Sequence, residues 1–233
     1  MTYEEFIDGI EKYWELFEKG LKKQANKFLF GFAEEFGRSV PQDEGDALLC
    51  RFCRDYIDGD RFDEHKRFGL SLPFQLTGLL NDYLTRECRA EKMPQMRWAF
   101  QIFGNYYNPH DPNQTELDPY NILEKAYEHP DCDQMTVDLY LKQQVDWLAF
   151  GAHHFPEGCC IAREEYEDTI KTAEKIIAEK QVPVHLAEEA RYYKALYELY
   201  YKWSDGGRIG DFEALCISER LGFRAVKAFY YKK

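Results

Sequence analysis

The chain has 233 residues, 45 % of them hydrophobic, and its 42 Asp and Glu against 30 Lys and Arg give a formal charge of −12. That apolar content supplies a core without help from disulfides or metals. The negative charge repels phosphate backbones and anionic lipid, which argues against nucleic acid and membrane surfaces as ligands and favours a basic protein partner.

No run of about 18 uncharged apolar residues occurs, so no membrane-spanning helix is expected. The opening MTYEEFIDGIEKYW carries acids where a secretory signal has lysines, and no apolar segment follows it. Seven cysteines, Cys50, Cys53, Cys88, Cys132, Cys159, Cys160 and Cys216, are odd in number and scattered through helical segments. Reduced thiols in a cytoplasmic protein are the expectation. Aromatics reach 16 %, with 17 Phe, 17 Tyr and 4 Trp, and tyrosine in particular suits interfaces.

Helical periodicity runs through the chain. Phe6, Ile7, Ile10, Tyr13, Trp14 and Phe17 mark a first amphipathic helix, and Thr2 with Glu5 has capping-box spacing. After Gly20 the pattern resumes with Leu21, Ala25, Phe28, Leu29, Phe32 and Phe36, so the first two helices form a hairpin that Gly37 and RSVPQDEG close. A third helix is expected from about Asp43 to Ile57, followed by the loop DGDRFDEHKRFGLS. Pro73, Pro94 and Pro119 each suit the first turn of a further helix, where a missing amide costs nothing. Asp133 is placed to cap QMTVDLYLKQQVDWLAFGAHH, Pro183 to open a ninth helix and Asp211 a tenth. Only FRAVKAFYYKK could be a strand.

The expected fold is all-α: about ten short helices packed as antiparallel hairpins, either a globular bundle or an irregular α-solenoid. The helix starts are unevenly spaced and match no tetratricopeptide, HEAT or ankyrin pattern. A single helical domain over 1–233 is expected, with NPHDPNQTELDP (108–119) as the place for a subdivision.

WLAFGAHHFPEGCC (147–160) is the most chemistry-laden stretch. Val137, Leu141, Val145, Leu148 and Ala152 share an arc of about 80° at 100° per residue, which makes that arc the buried face and turns His153 and His154 outward. Adjacent helical residues diverge by about 100°, so the two histidines join one metal only if the helix unwinds at Pro156 and Gly158. His153, His154, Cys159 and Cys160 are therefore weak metal candidates, and helix-terminal histidines near the last carbonyls are the plainer reading.

Cys50 and Cys53 form a C-x-x-C inside an apolar helix, where buried, inert thiols are expected. DYIDGDRFDEH resembles a calcium loop only in acidity: counting from Asp58, its sixth and twelfth positions hold Asp63 and Gly69 instead of the glycine and glutamate an EF-hand needs. A solvated acidic loop is expected. The glycine-rich SDGGRIGD, with Arg208, could hold an anion but lacks a preceding strand and a P-loop lysine.

The helix VHLAEEARYYKALYELYYKW carries apolar and aromatic residues over about 200° of its circumference. It is either central or half-buried with a tyrosine face toward a partner. The resulting functional expectation is a non-enzymatic protein-binding domain with no cofactor, of the immunity or antitoxin type. Glu164, Glu165, Glu167 and Asp168 would meet a basic partner, and Tyr192, Tyr197 and Tyr201 would anchor it. The alternatives are a helical metal- or thiol-dependent enzyme using His153, His154 and Cys159, with Asp146 beside them, and a homo-oligomeric scaffold subunit.

Overall fold

The computed structural model describes residues 1–63, 72–104 and 118–223. It is all-α: among the described residues there are ten α-helices, one π-helical turn and no strand. Two compact units divide the chain, Met1–Cys132 and Asp133–Lys233. Each is a helical bundle around its own core. Most of NPHDPNQTELDP lies outside the described residues, as does FRAVKAFYYKK apart from Phe223.

The first unit contains α1 (Tyr3–Glu18), α2 (Lys22–Ser39), α3 (Gln42–Cys53), α4 (Phe74–Arg89), α5 (Gln95–Phe103) and α6 (Pro119–Glu128). The Thr2 hydroxyl accepts from the Glu5 amide while the Glu5 carboxylate accepts from the Thr2 amide at 2.7 Å, so the capping box forms. Gly20 takes φ +77°, the left-handed conformation that reverses the chain between α1 and α2 without steric cost. These two helices pack together. Their Phe6, Phe32 and Phe36 rings meet, and Phe52, Tyr56 and Phe62 extend the aromatic core.

Proline marks helix starts differently from the expectation. Pro73, Pro94 and Pro183 are the residues immediately before α4, α5 and the ninth helix, and only Pro119 lies inside a first turn. The α-helical part of the third helix also ends early, at Cys53. It continues through a π-helical turn, Arg54–Asp58.

That turn corrects the reading of DYIDGDRFDEH as a purely solvated loop. Asp55 accepts from the Tyr3 hydroxyl at 2.7 Å. Asp58 receives Arg97 through both terminal nitrogens, at 2.7 and 3.0 Å, and the Trp98 indole N–H at 3.0 Å. The side chains of Arg97 and Asp58 are 3 % and 25 % exposed. Such a pair contributes mainly by fixing one arrangement, and losing one member is costly because the other charge is already desolvated. Asp58→Ala should lower unfolding free energy by about 3 kcal/mol, read as a shifted midpoint in urea titration, whereas substitution of the exposed Asp60 should leave the midpoint in place.

The second unit contains α7 (Gln134–Ala152), α8 (Arg163–Glu179), α9 (Val184–Asp205) and α10 (Phe212–Ser218). Asp133 and Asp211 cap α7 and α10, each accepting from the amide three residues on. Helix α9 packs against α7, α8 and α10. It is the inner helix of the unit, and the width of its apolar surface follows from having neighbours on several sides.

Candidate functional site

His153, His154, Cys159, Cys160, Tyr197, Tyr201 and the acids of α8 gather around one end of the second unit, where α7 turns into α8. Val137, Leu141, Val145, Leu148 and Ala152 are buried, as their shared arc requires. Phe155 follows them into the core and stacks on Tyr200, with ring centroids 3.9 Å apart. The loop then doubles back, and the Cys160 amide donates to the Gly151 carbonyl at 2.9 Å. Ile161 is buried and α8 begins at Arg163. Burial of Phe155 and Ile161 thus pins both ends of the FPEGCC loop.

His153 and His154 point outward and are exposed, their rings meeting edge to face at 4.9 Å. Cys159 is half-buried and Cys160 exposed. The Cys159 sulfur lies 4.0 Å from the Tyr201 hydroxyl. Among the described residues, no three His, Cys, Asp or Glu side chains converge as metal ligands. The loop brings the histidines and cysteines into one turn without aiming them at one point.

The three tyrosines proposed as anchors separate into two kinds. Tyr197 is a correction: it is fully buried, stacks on Tyr166 at 4.5 Å, and donates its hydroxyl to the Leu148 carbonyl at 2.9 Å. Burial pushes its hydroxyl far above the ordinary tyrosine range. It ties α9 to the last turns of α7 and belongs to the core. Tyr192 and Tyr201 are half-buried. Tyr201 carries the Arg163 guanidinium over its ring at 4.1 Å, and Arg163 donates to Asp205 at 2.8 Å. Desolvation raises the Tyr201 hydroxyl as well, and Tyr166 is pushed up to about 12. These phenols remain protonated at neutral pH and act as hydrogen-bonding groups rather than bases.

Glu164, Glu165, Glu167 and Asp168 are all exposed on the first turns of α8. Glu165 is partly used, since it accepts from the Ala162 amide at 2.7 Å and satisfies a donor at the helix start. Their position also complements the positive end of the helix dipole. Three other acids of the unit are taken up by cations: Asp146 by Lys142, Glu174 by Lys194, Asp205 by Arg163. Glu164, Glu167 and Asp168 form no ion pair among the described residues.

The glycine-rich SDGGRIGD forms the C-terminal turn of α9. Gly207 and Gly210 take φ +86° and +81°, and the Arg208 amide bonds back to the Trp203 carbonyl at 2.9 Å. The Arg208 guanidinium lies over the Trp203 ring and reaches the Glu157 carbonyl at 3.4 Å, so its charge is directed at protein groups.

One feature of this end is absent from the residues picked by sequence. Trp147 and Phe150, on the outer side of α7, stack at 5.3 Å while 43 % and 52 % exposed. Their i, i+3 spacing, outside the buried arc, is the signal that was available. The chain was compared with models of known protein families, with curated proteins and with solved structures, and it matches none of them.

Two outcomes follow from this packing. A β-carbon at position 151 would overlap the Tyr197 hydroxyl and come within 2.6 Å of Ile161. Gly151→Ala should therefore destabilise the second unit by about 1–3 kcal/mol, measured by chemical denaturation, and more than Gly158→Ala, whose β-carbon meets open space. The thiols should also divide by burial, which raises Cys53 well above its ordinary range, Cys88 to about 12 and Cys216 to about 11. A raised pKa keeps these thiols protonated and slow at pH 7–8. Titration of the native protein with a chromogenic disulfide should therefore show a fast thiol that Cys160→Ser removes.

Proposed function

We propose that the protein is a non-enzymatic protein-binding domain whose acidic face, at the start of α8, engages a basic protein partner. The observation that carries this reading is the cluster of exposed carboxylates Glu164, Glu167 and Asp168 within the first turns of one helix, none of which makes an ion pair among the described residues. Side chains in this state keep their field directed at solvent, where it steers an oppositely charged partner and is screened over about 8 Å at physiological ionic strength.

Tyr201 supplies the adjoining half-buried aromatic surface, with the Arg163 guanidinium already over its ring. Tyr192 lies further back on α9. A partly exposed tyrosine contributes rigid contact area at low entropic cost. A cationic site covered by these acids would be neutralised, which is the mode of action of an immunity- or antitoxin-type protein. Cytoplasmic residence is part of this reading. All seven cysteines are free, as a reducing compartment requires, and no helix among the described residues is long and apolar enough to cross a membrane.

The test is charge reversal at three exposed positions that take no part in packing. The wild-type chain and the Glu164→Lys, Glu167→Lys, Asp168→Lys variant, each immobilised, are offered the proteins of the source cell at low and moderate salt. The wild type should retain basic proteins that moderate salt releases, and the triple variant should lose them. Retention of the same proteins by both chains would overturn the proposal.

A further inference from the structure

The outer face of α7 has an order of charges and aromatics that fits a second copy of itself. Phe150 is its centre, 52 % exposed. About one turn before it stand Asp146 and Trp147, and about one turn after it His153 and His154, all four exposed. His153 keeps helical backbone angles, so the face continues past Ala152 to at least that residue. An acid and an indole thus precede the central ring, and two imidazoles follow it.

We propose that two chains associate through this face, with their α7 helices antiparallel and the two-fold axis passing beside Phe150. At 100° per residue, Asp146 and His153 lie on one flank of the Phe150 line, and Trp147 and His154 on the other. A two-fold axis perpendicular to both helices reverses direction along the helix but keeps each flank on its own side. Each Asp146 therefore meets the second copy's His153, each Trp147 ring meets the second copy's His154, and the two Phe150 rings meet at the centre. A parallel two-fold pairing would swap the flanks at equal height, setting Asp146 against Trp147 and His153 against His154, with no carboxylate facing an imidazole.

The contact is isologous, so every favourable pair occurs twice. It gives the stacked Trp147 and Phe150 rings an apolar partner, and it places an imidazole N–H donor against a carboxylate. Lys142 already holds Asp146 at 2.6 Å, but both side chains are more than half exposed. Such a pair contributes little, and a carboxylate has acceptor sites to spare.

Nineteen residues of α7 extend about 28 Å at 1.5 Å per residue. One such helix pair is at the small end of specific interfaces, which sets a dissociation constant on the order of micromolar. This surface lies on a different helix from the α8 carboxylates, so either proposal can fail without the other.

The experiment is sedimentation equilibrium of the full chain up to about 0.2 mM, roughly two-hundredfold above a micromolar constant. The wild type should move from 27.7 kDa toward twice that mass, and Phe150→Asp should stay monomeric with an unchanged helical circular dichroism spectrum. Asp146→Lys and His153→Asp, each alone, should self-associate at least about tenfold more weakly, which corresponds to 1.4 kcal/mol. Mixed together, they should regain wild-type association, because one contact becomes Lys to Asp and the other stays Asp to His. A wild type monomeric throughout, a Phe150→Asp variant that still dimerises, or a mixture that recovers nothing would each overturn the proposal.

Discussion

The second unit is organised by the hydrogen bond from the Tyr197 hydroxyl to the Leu148 carbonyl, made inside an apolar core. A buried phenol without a partner would cost on the order of 1–3 kcal/mol, so this bond limits how α9 can lie against α7. Tyr166 covers one face of the Tyr197 ring and Phe155 meets its edge. Gly151 supplies the clearance for the hydroxyl, and the Gly151 carbonyl in turn receives the Cys160 amide. The histidines, cysteines and acids at this end of the unit are held by that one arrangement. A change at position 151 or 197 would move them without touching them.

Much of the fold could be read from the sequence because helix boundaries are local. Thr2 with Glu5, Asp133, Asp211 and the four prolines act within four residues of themselves, and their physics needs no tertiary partner. The prolines at 73, 94 and 183 fell one position outside their helices, a difference that depends on local backbone angles. The site was less legible. The aromatic width of α9 is compatible with an inner helix or a half-exposed one, and only the positions of α7, α8 and α10 decide that Tyr197 is core while Tyr192 and Tyr201 reach the edge. Asp58 is the same problem at longer range. Its partners stand 39 and 40 residues away, so nothing in DYIDGDRFDEH itself marks that acid as the acceptor for a buried arginine rather than a free surface carboxylate.

Trp147 and Phe150 were overlooked for a related reason. Helix α7 is apolar around most of its circumference, with Tyr140, Leu141, Val145 and Leu148 buried on the inner side. The buried arc Val137, Leu141, Val145, Leu148 and Ala152 already fills that inner side. Further large side chains cannot share its volume at interior packing density, so apolar residues outside the arc are left on the surface.

The two surfaces proposed for this unit would differ in what holds a partner to them. On α8 the carboxylates would act at a distance and set the rate of encounter, an effect that falls as salt shortens the range of the field. On α7 the stacked rings would act only in contact, through removal of apolar area from water, and moderate salt does not screen that contribution. Both are exposed on one small unit, so self-association through α7 would present two acidic turns in one particle. The steering field would then come from both copies while each turn kept its own contact geometry, and bivalent engagement of a suitably spaced partner would raise its effective affinity without a new contact.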